Sequence, residues 1–438
     1  MRLMTVGKEA LSVGHPEVAS QKKDFLTNHL VVVGGGAAGF FCAVNAARQN
    51  PALKVTLLEK SGKLLAKVRI SGGGRCNTTH SLFDTNELSR RYPRGQNFVK
   101  KTFHQFAAAD TVRWFEERGV RLKAEADGRM FPVTDSSETI IACLLDEAKR
   151  HGVDIRLHAD VRTLQKPGED WQLTLADGNV LSARYVCVAS GGAPKASGFD
   201  WLRALGHTVA EPVPSLFTFN LPRHPITALM GVSVEKARVK IEGTKLSEEG
   251  PVLVTHWGLS GPAILRLSAW GARELAAKEY SFRVHINWLP GHTGETMKEL
   301  LHEARMSHAS RKVANQNPGL PNRLWLFLLE SVGISNDQRF ADLPAKTENA
   351  LIRQLVDFVV DVAGKTTFKE EFVTAGGITL GEVDPNTLMS RKAPNLFFAG
   401  EVLDVDGITG GFNFQHAWTS GWIAAKTIAS LSAAGFNK

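Results

Sequence analysis

The chain has 438 residues, more than one hydrophobic core usually organises, so two or three domains are expected. Its 43% apolar and 22% charged content is that of a soluble globular protein, and the longest weakly polar run, residues 30–44, is too short and glycine-rich to cross a bilayer. A net charge of +8, from 52 basic and 44 acidic residues, is mild for this length; the clusters at Arg90, Arg91 and Arg94 and at Lys100 and Lys101 read as a solvated rim, not a nucleic-acid surface.

Residues 1–26 carry no apolar signal core with a small-residue cleavage site and read as an extension, which leaves the cytoplasm as the default compartment. The first patterned segment is HLVVVGGGAAGFFCAVNAARQN. Residues 30–33 are a continuous apolar run, as expected for a parallel strand covered on both faces. Gly34, Gly36 and Gly39 then spell G-x-G-x-x-G, and Ala37 and Ala38 open a helix over residues 37–48. A second strand, LKVTLLEK, ends at Glu59 and Lys60. One glycine permits the tight turn, the next lets backbone N–H groups reach a pyrophosphate, and the third allows close helix–strand packing. Glu59 falls twenty residues after Gly39, where a carboxylate can hold a ribose diol; it suits FAD or NAD better than NADP.

A second glycine stretch, KVRISGGGRCNTTH (67–80), runs Ser71, Gly72, Gly73, Gly74, Arg75, Cys76 and Asn77 together. Three consecutive glycines are costly in conformational entropy unless the backbone must approach something closely. Residues 102–120 and 136–153 read as amphipathic helices, the latter capped by serine. Three strand-like segments follow, 154–165, 171–179 and 180–192, with an Asp177-Gly178 hairpin signal; YVCVA, ending at Ser190-Gly191-Gly192, returns to the parallel sheet. From Ser215 to Phe372 the character changes: strand- and turn-like first, helical from about Glu295, with residues 323–334 and 349–364 the clearest helices. At the end, NLFFAG is a short buried strand, DVDGITGGFN a glycine loop, and residues 414–431 a helix. Such a loop feeding a helix N-terminus can stabilise negative charge developing on a flavin ring.

The motifs VVVGGGAAG, LLEK, ISGGGRCN, VPSLFTF, THWGLSGPAIL, TAGGITLGEV and LFFAGEVLDVDGITGGFNFQHAWTSGW together resemble the BaiN-like, or aminoacetone-oxidase-like, family of NAD(P)/FAD-dependent oxidoreductases, within the glutathione-reductase and fumarate-reductase flavoprotein superfamily. They run in order along nearly the whole chain. The resemblance implies an α/β architecture: a Rossmann-like FAD-binding domain built from both chain ends (27–214 and 373–438), with an inserted β domain carrying a small helical subdomain (215–372). It also implies FAD contacts. Gly34, Gly36 and Gly39 would cradle the pyrophosphate, with Glu59 on the adenosine ribose. Residues 72–74 would run along pyrophosphate and ribityl chain, with Arg75, Cys76 and Asn77 on the flavin side. Val161 would face the adenine; Ser190, Gly191, Gly400 and Glu401 would meet the central portion; Gly410, Gly411, Phe412 and Asn413 would meet the pyrimidine edge.

A flavin carries out electron transfer itself, so protein groups position and tune. Arg75 could hold a substrate carboxylate or pair with phosphate. Cys76 is either a flavin contact or a packing thiol, and His416 either a proton donor or a structural hydrogen-bonding group. His256, in THWGLSGP, is a candidate acid–base residue on a substrate-facing wall. His80 raises a covalent histidyl–flavin link, but non-covalent FAD is the better reading. Cys42, Cys76, Cys143 and Cys187 are widely spaced without C-x-x-C, which argues against disulfide, zinc and dithiol chemistry, and no metal site is expected. No second G-x-G-x-x-G follows a strand, so NADH or NADPH would dock only transiently. The expected function is FAD-dependent oxidation or reduction of a small organic substrate; the alternatives are a flavoprotein acting on RNA and an FAD-stabilised binding protein without turnover.

Overall fold

The strand His29–Val33 forms the centre of a five-stranded parallel sheet in the computed structural model, which describes residues 28–366 and 373–434. Residues 1–26 and the expected boundary at Phe372 lie outside the described residues. Across the sheet the order is Leu396–Phe398, Tyr185–Val188, His29–Val33, Lys54–Leu58 and Asp154–Arg156. Every neighbouring pair is parallel. The unbroken apolar runs LVVV and YVCV are buried throughout, as strands covered on both faces must be. The sheet thus combines strands from both ends of the chain.

The helix Ala37–Gln49 follows the central strand and packs along the last helix, Phe412–Ala434. That packing needs a glycine. A Cβ on Gly421 would stand 2.6 Å from the Ala38 carbonyl oxygen and 3.1 Å from the Cys42 nitrogen. Phe41, Phe106, Trp114 and Trp418 close the seam, with ring centroids 4.6–5.6 Å apart around Phe41.

A second, antiparallel sheet has seven strands and its own core, from Phe217 to Val362. Strands Val209–Ser215 and Val373–Ile378 pair with each other and carry the chain between the two sheets. Helices Gly294–His308, Asn322–Ser331 and Ala345–Val356 contribute to the core of the second sheet. The architecture is therefore mixed α/β: a parallel Rossmann-like sheet joined to an antiparallel sheet unit.

Four expected elements divide; one is 180–192, which gives Val180–Ala183 in a three-stranded sheet and Tyr185–Val188 in the parallel sheet. The helix expected over 102–120 breaks between Phe103 and Ala108, giving Gln96–Phe103 and Ala108–Glu116. Residues 349–364 begin as helix but become the strand Phe358–Ala363, in which Phe358, Val360 and Val362 turn inward and Val359, Asp361 and Ala363 outward. Residues 154–165 split between the edge of the parallel sheet and the strand Val161–Gln165 of a separate three-stranded sheet. Pairing partners decided the last two. Arg94, read as part of a solvated cluster, is instead largely covered and forked onto the fully buried Asp406. No helix among the described residues is long and apolar enough to cross a membrane.

Substituting Gly421→Val forces the first and last helices apart. It is expected to cost about 1–3 kcal/mol or more, read as a lower denaturant midpoint with unchanged m-value.

Candidate functional site

At the C-terminal edge of the parallel sheet the chain turns without side chains. Gly34 has φ +117°, and a Cβ there would lie 2.3 Å from the Ala189 carbonyl oxygen. A Cβ on Gly39 would meet the Gly34 carbonyl oxygen at 1.9 Å, so this glycine serves close packing and does not face the cavity. Gly36 differs: with φ −91°, its missing Cβ would have no atom within 4 Å. It opens into a cavity of about 640 Å³ that Gly34, Ala37 and Ala38 also line. The first-turn N–H groups of the helix have no intrahelical acceptor and form the positive end of its dipole.

Glu59 lies at the same edge of the cavity, with Lys60 and Ser61. Its carboxylate accepts the Gly35 N–H (2.9 Å) and both the N–H and the hydroxyl of Ser61 (2.8 and 2.7 Å). The tip of the second strand is thereby tied to the glycine turn.

The run after Ala66–Ile70 leaves helical geometry at Ser71, and Gly72 and Gly73 adopt left-handed φ of +60° and +69°. Ser71, Gly72, Gly73 and Asn77 line the cavity; Gly74, Arg75 and Cys76 do not. Gly72 rests on the Phe131 ring, where a Cβ would come to 2.8 Å. Arg75 stacks on the same ring (4.1 Å) and donates to Glu125 (2.7 Å), so it braces the loop from outside. Cys76 is wholly buried, and burial pushes its thiol up to about 11, so it is protonated at neutral pH. The Asn77 amide donates to the Thr79 carbonyl (3.1 Å) and accepts the Gly411 N–H (3.0 Å), joining the two glycine loops.

The C-terminal segments complete the cradle. Ser190 and Gly191 follow one strand and Gly400 and Glu401 another, all on the cavity wall. Glu401 accepts the Thr374 N–H (2.8 Å) and pairs with Lys67 (2.6 Å). Gly410, Gly411 and Asn413 line the cavity where the last helix starts, and the Asn413 amide exchanges two hydrogen bonds with Gly407 (2.8 and 3.0 Å). Phe412 turns away, stacked on His80. His80 accepts from the Leu82 N–H (3.2 Å) and bonds the Asp127 carbonyl (3.1 Å), so both ring nitrogens are engaged within the protein.

His416 lines the cavity at 2% exposure. Its Nε2–H donates to the Gly400 carbonyl (3.3 Å), and Nδ1 has no partner among the described residues. Burial holds its pKa down to about 4, so the ring is neutral at pH 7 and offers no imidazolium proton. Val161 and His256 lie outside the cavity; His256 is exposed against Trp257. The opposite wall comes from the antiparallel unit and its crossover: Leu216 and Thr218 of VPSLFTF, Ser260 and Leu265 of THWGLSGPAIL, the stretch expected to form a substrate-facing wall, together with Thr366 and Val373.

These residues fit an FAD. Two helix N-termini face one cavity. Gly421, nine residues into the last helix, lies against the start of the first, so at 1.5 Å per residue the two anion-stabilising ends are about 14 Å apart. The glycine loops leave room for an extended cofactor along that line, and Glu59 lies on the cavity wall beside the glycine turn that precedes the first helix.

The family model described as the HI0933-like protein Rossmann domain matches residues 28–427. The chain belongs to the HI0933-like family. The HI0933-like chain is 31% identical over 409 residues to the ribosomal RNA dihydrouridine synthase of Escherichia coli K12, covering 91% of this chain and 97% of that one. It is 30% identical over 413 residues to the 3-dehydro-bile acid delta(4,6)-reductase of Clostridium scindens, covering 92% and 99%. Among solved structures, the 3-ketosteroid-delta4-(5alpha)-dehydrogenase of Rhodococcus jostii RHA1 shares the fold at TM-score 0.50 and 14% identity, covering 94% and 99%. The HI0933-like protein is an FAD-dependent oxidoreductase.

Because a Cβ at Gly36 meets no protein atom, Gly36→Val is expected to fold with near-native stability yet purify colourless and take up no FAD in a calorimeter. His416 has a folded pKa of about 4 against an ordinary 6.5, so its contribution to stability is complete above pH 6.5 and is lost as pH falls toward 4. His416→Gln is expected to flatten that part of the stability–pH curve, measured by denaturant titration.

Proposed function

We propose that the protein reduces a carbon–carbon double bond conjugated to a carbonyl, using NADH or NADPH as the electron source. One observation carries this reading. The wall facing the glycine loops bears no ionisable side chain, only aliphatic groups and three hydroxyls. Two of those are occupied: Thr218 accepts from Trp257 Nε1–H (2.9 Å) and donates to the Thr366 carbonyl (3.2 Å), while the Thr366 hydroxyl donates to Asn220 (3.0 Å). The Ser260 hydroxyl has no partner among the described residues and is the group that would donate to a substrate carbonyl oxygen. Such a surface suits a flat, neutral, conjugated molecule.

The names of the two relatives support the same chemistry. A dihydrouridine synthase saturates a uracil double bond beside a carbonyl, and a 3-dehydro-bile acid delta(4,6)-reductase saturates double bonds conjugated to a ketone. Bound FAD would supply the hydride donor. The free N–H groups at the start of Ala37–Gln49 would hold its phosphates, and those at the start of Phe412–Ala434 would stabilise negative charge at the ring's pyrimidine edge. Leu216 and Leu265 would exclude water from the reacting face. We take residues 27–214 and 373–438 as the FAD-binding unit and 215–372 as the substrate-side unit. The nicotinamide nucleotide would dock transiently between them. The cytoplasm suits the four cysteines, which are free and buried.

For the substrate we take a small molecule first. A second reading, uracil within ribosomal RNA, is favoured by the names of two relatives.

Anaerobic reduction by NADH or NADPH, followed by mixing with a steroid dienone or an unmodified ribosomal RNA fragment, separates these readings. Rapid flavin reoxidation with a product gaining two hydrogens is expected from one acceptor. Reoxidation by oxygen but by neither acceptor would contradict the reading.

A further inference from the structure

Asp406 lies in the loop between Glu401 and the last helix, flanked by Val405, Ile408 and Thr409, which line the cavity, but its own side chain turns away from it. It is completely buried, and a buried carboxylate is costly unless paired and hydrogen-bonded. Both conditions are met. Arg94, whose side chain is 10% exposed, approaches with Nε on Oδ1 and a terminal nitrogen on Oδ2, the fork geometry of a bidentate pair. Ser215 Oγ donates to Oδ2 at 2.7 Å. Arg94 and Asp406 also form a backbone bridge.

The rest of this segment follows the same line. The Ile408 N–H donates to the Arg91 carbonyl at 3.0 Å, the Tyr92 hydroxyl donates to the Phe412 carbonyl at 2.6 Å, and Gly95 packs on Val405. Residues 91–95 therefore splint the cavity-facing loop over its length. Ser215, the last residue of a crossover strand, links the splint to the antiparallel unit. A second carboxylate of the loop, Asp404, is held by Arg273 from the other side, at 2.7 and 2.8 Å.

We propose that Arg94 and Asp406 are a positioning pair for FAD: they hold the loop that presents Gly410 and Gly411, and they keep that buried spot electrically neutral beside the cofactor. Neither residue touches the cofactor in this scheme. The consequence is electrostatic as well as mechanical. A lone guanidinium left behind the loop would stabilise added negative charge in the cavity, whereas a purely structural role would leave the cofactor's potential unchanged.

The test uses the full-length holoprotein and two measurements, the Kd for FAD by calorimetry and the midpoint potential of bound FAD by dye equilibration. Asp406→Asn leaves Arg94 uncompensated. It is expected to weaken FAD binding roughly tenfold or more and to shift the midpoint potential upward. The double variant Arg94→Met with Asp406→Asn removes both charges; it is expected to restore the potential without restoring affinity. Arg94→Lys keeps the charge but loses the fork, so affinity should fall several-fold at an unaltered potential. If Asp406→Asn does not fold, Arg94→Lys alone decides, and wild-type FAD affinity in that variant overturns the proposal. Wild-type Kd and potential in Asp406→Asn, or a double variant that keeps the raised potential, would also overturn it.

Discussion

Two helix N-termini from opposite ends of the chain have to stand on one cavity, and the close approach of the first and last helices at Gly421 makes this possible. A side chain there would strike the Ala38 carbonyl and separate the two positive ends. The parallel sheet enforces the same proximity from below, because Leu396–Phe398 pairs with Tyr185–Val188 and so returns the C-terminal segment to the N-terminal unit. Cradle, loop and final helix all depend on this closure.

Desolvation then settles the chemistry of the groups around the cavity. His416 is too deeply buried to be an imidazolium, and Cys76 too deeply buried to be a thiolate. Glu401 on the cavity wall pairs with Lys67, and behind the loop Asp406 pairs with Arg94. The wall supplied by the antiparallel unit is aliphatic and hydroxyl-bearing. The protein's part is therefore to hold, orient and dry a cofactor whose ring carries the electrons.

The glycine turns were legible because each is a local event. The spacing of Gly34, Gly36 and Gly39, the acid at Glu59 and the run from Ser71 to Asn77 need only their own segment to take shape. The same holds for the loop at Gly410 and Gly411. Within those motifs, however, lining could not be told from bracing. Arg75 and Phe412 are adjacent in sequence to cavity residues but point behind the loops, since Phe131 and His80 offer them ring faces there. Arg94 looked like one of several surface arginines; only Asp406, more than three hundred residues later, makes it a buried ion pair.

The sequence by itself determined the cofactor cradle and the α/β character of the chain, because backbone conformation at glycines and runs of buried β-branched residues are set by short-range sterics and hydrophobicity. Only the tertiary structure decided which side chains come together opposite the glycine loops. Leu216 comes from a bend, Thr218 and Ser260 from separate strands and Leu265 from a helix, and they meet the cavity through a strand crossover whose pairing is non-local. Strand register and helix approach are long-range agreements, and no short segment carries them.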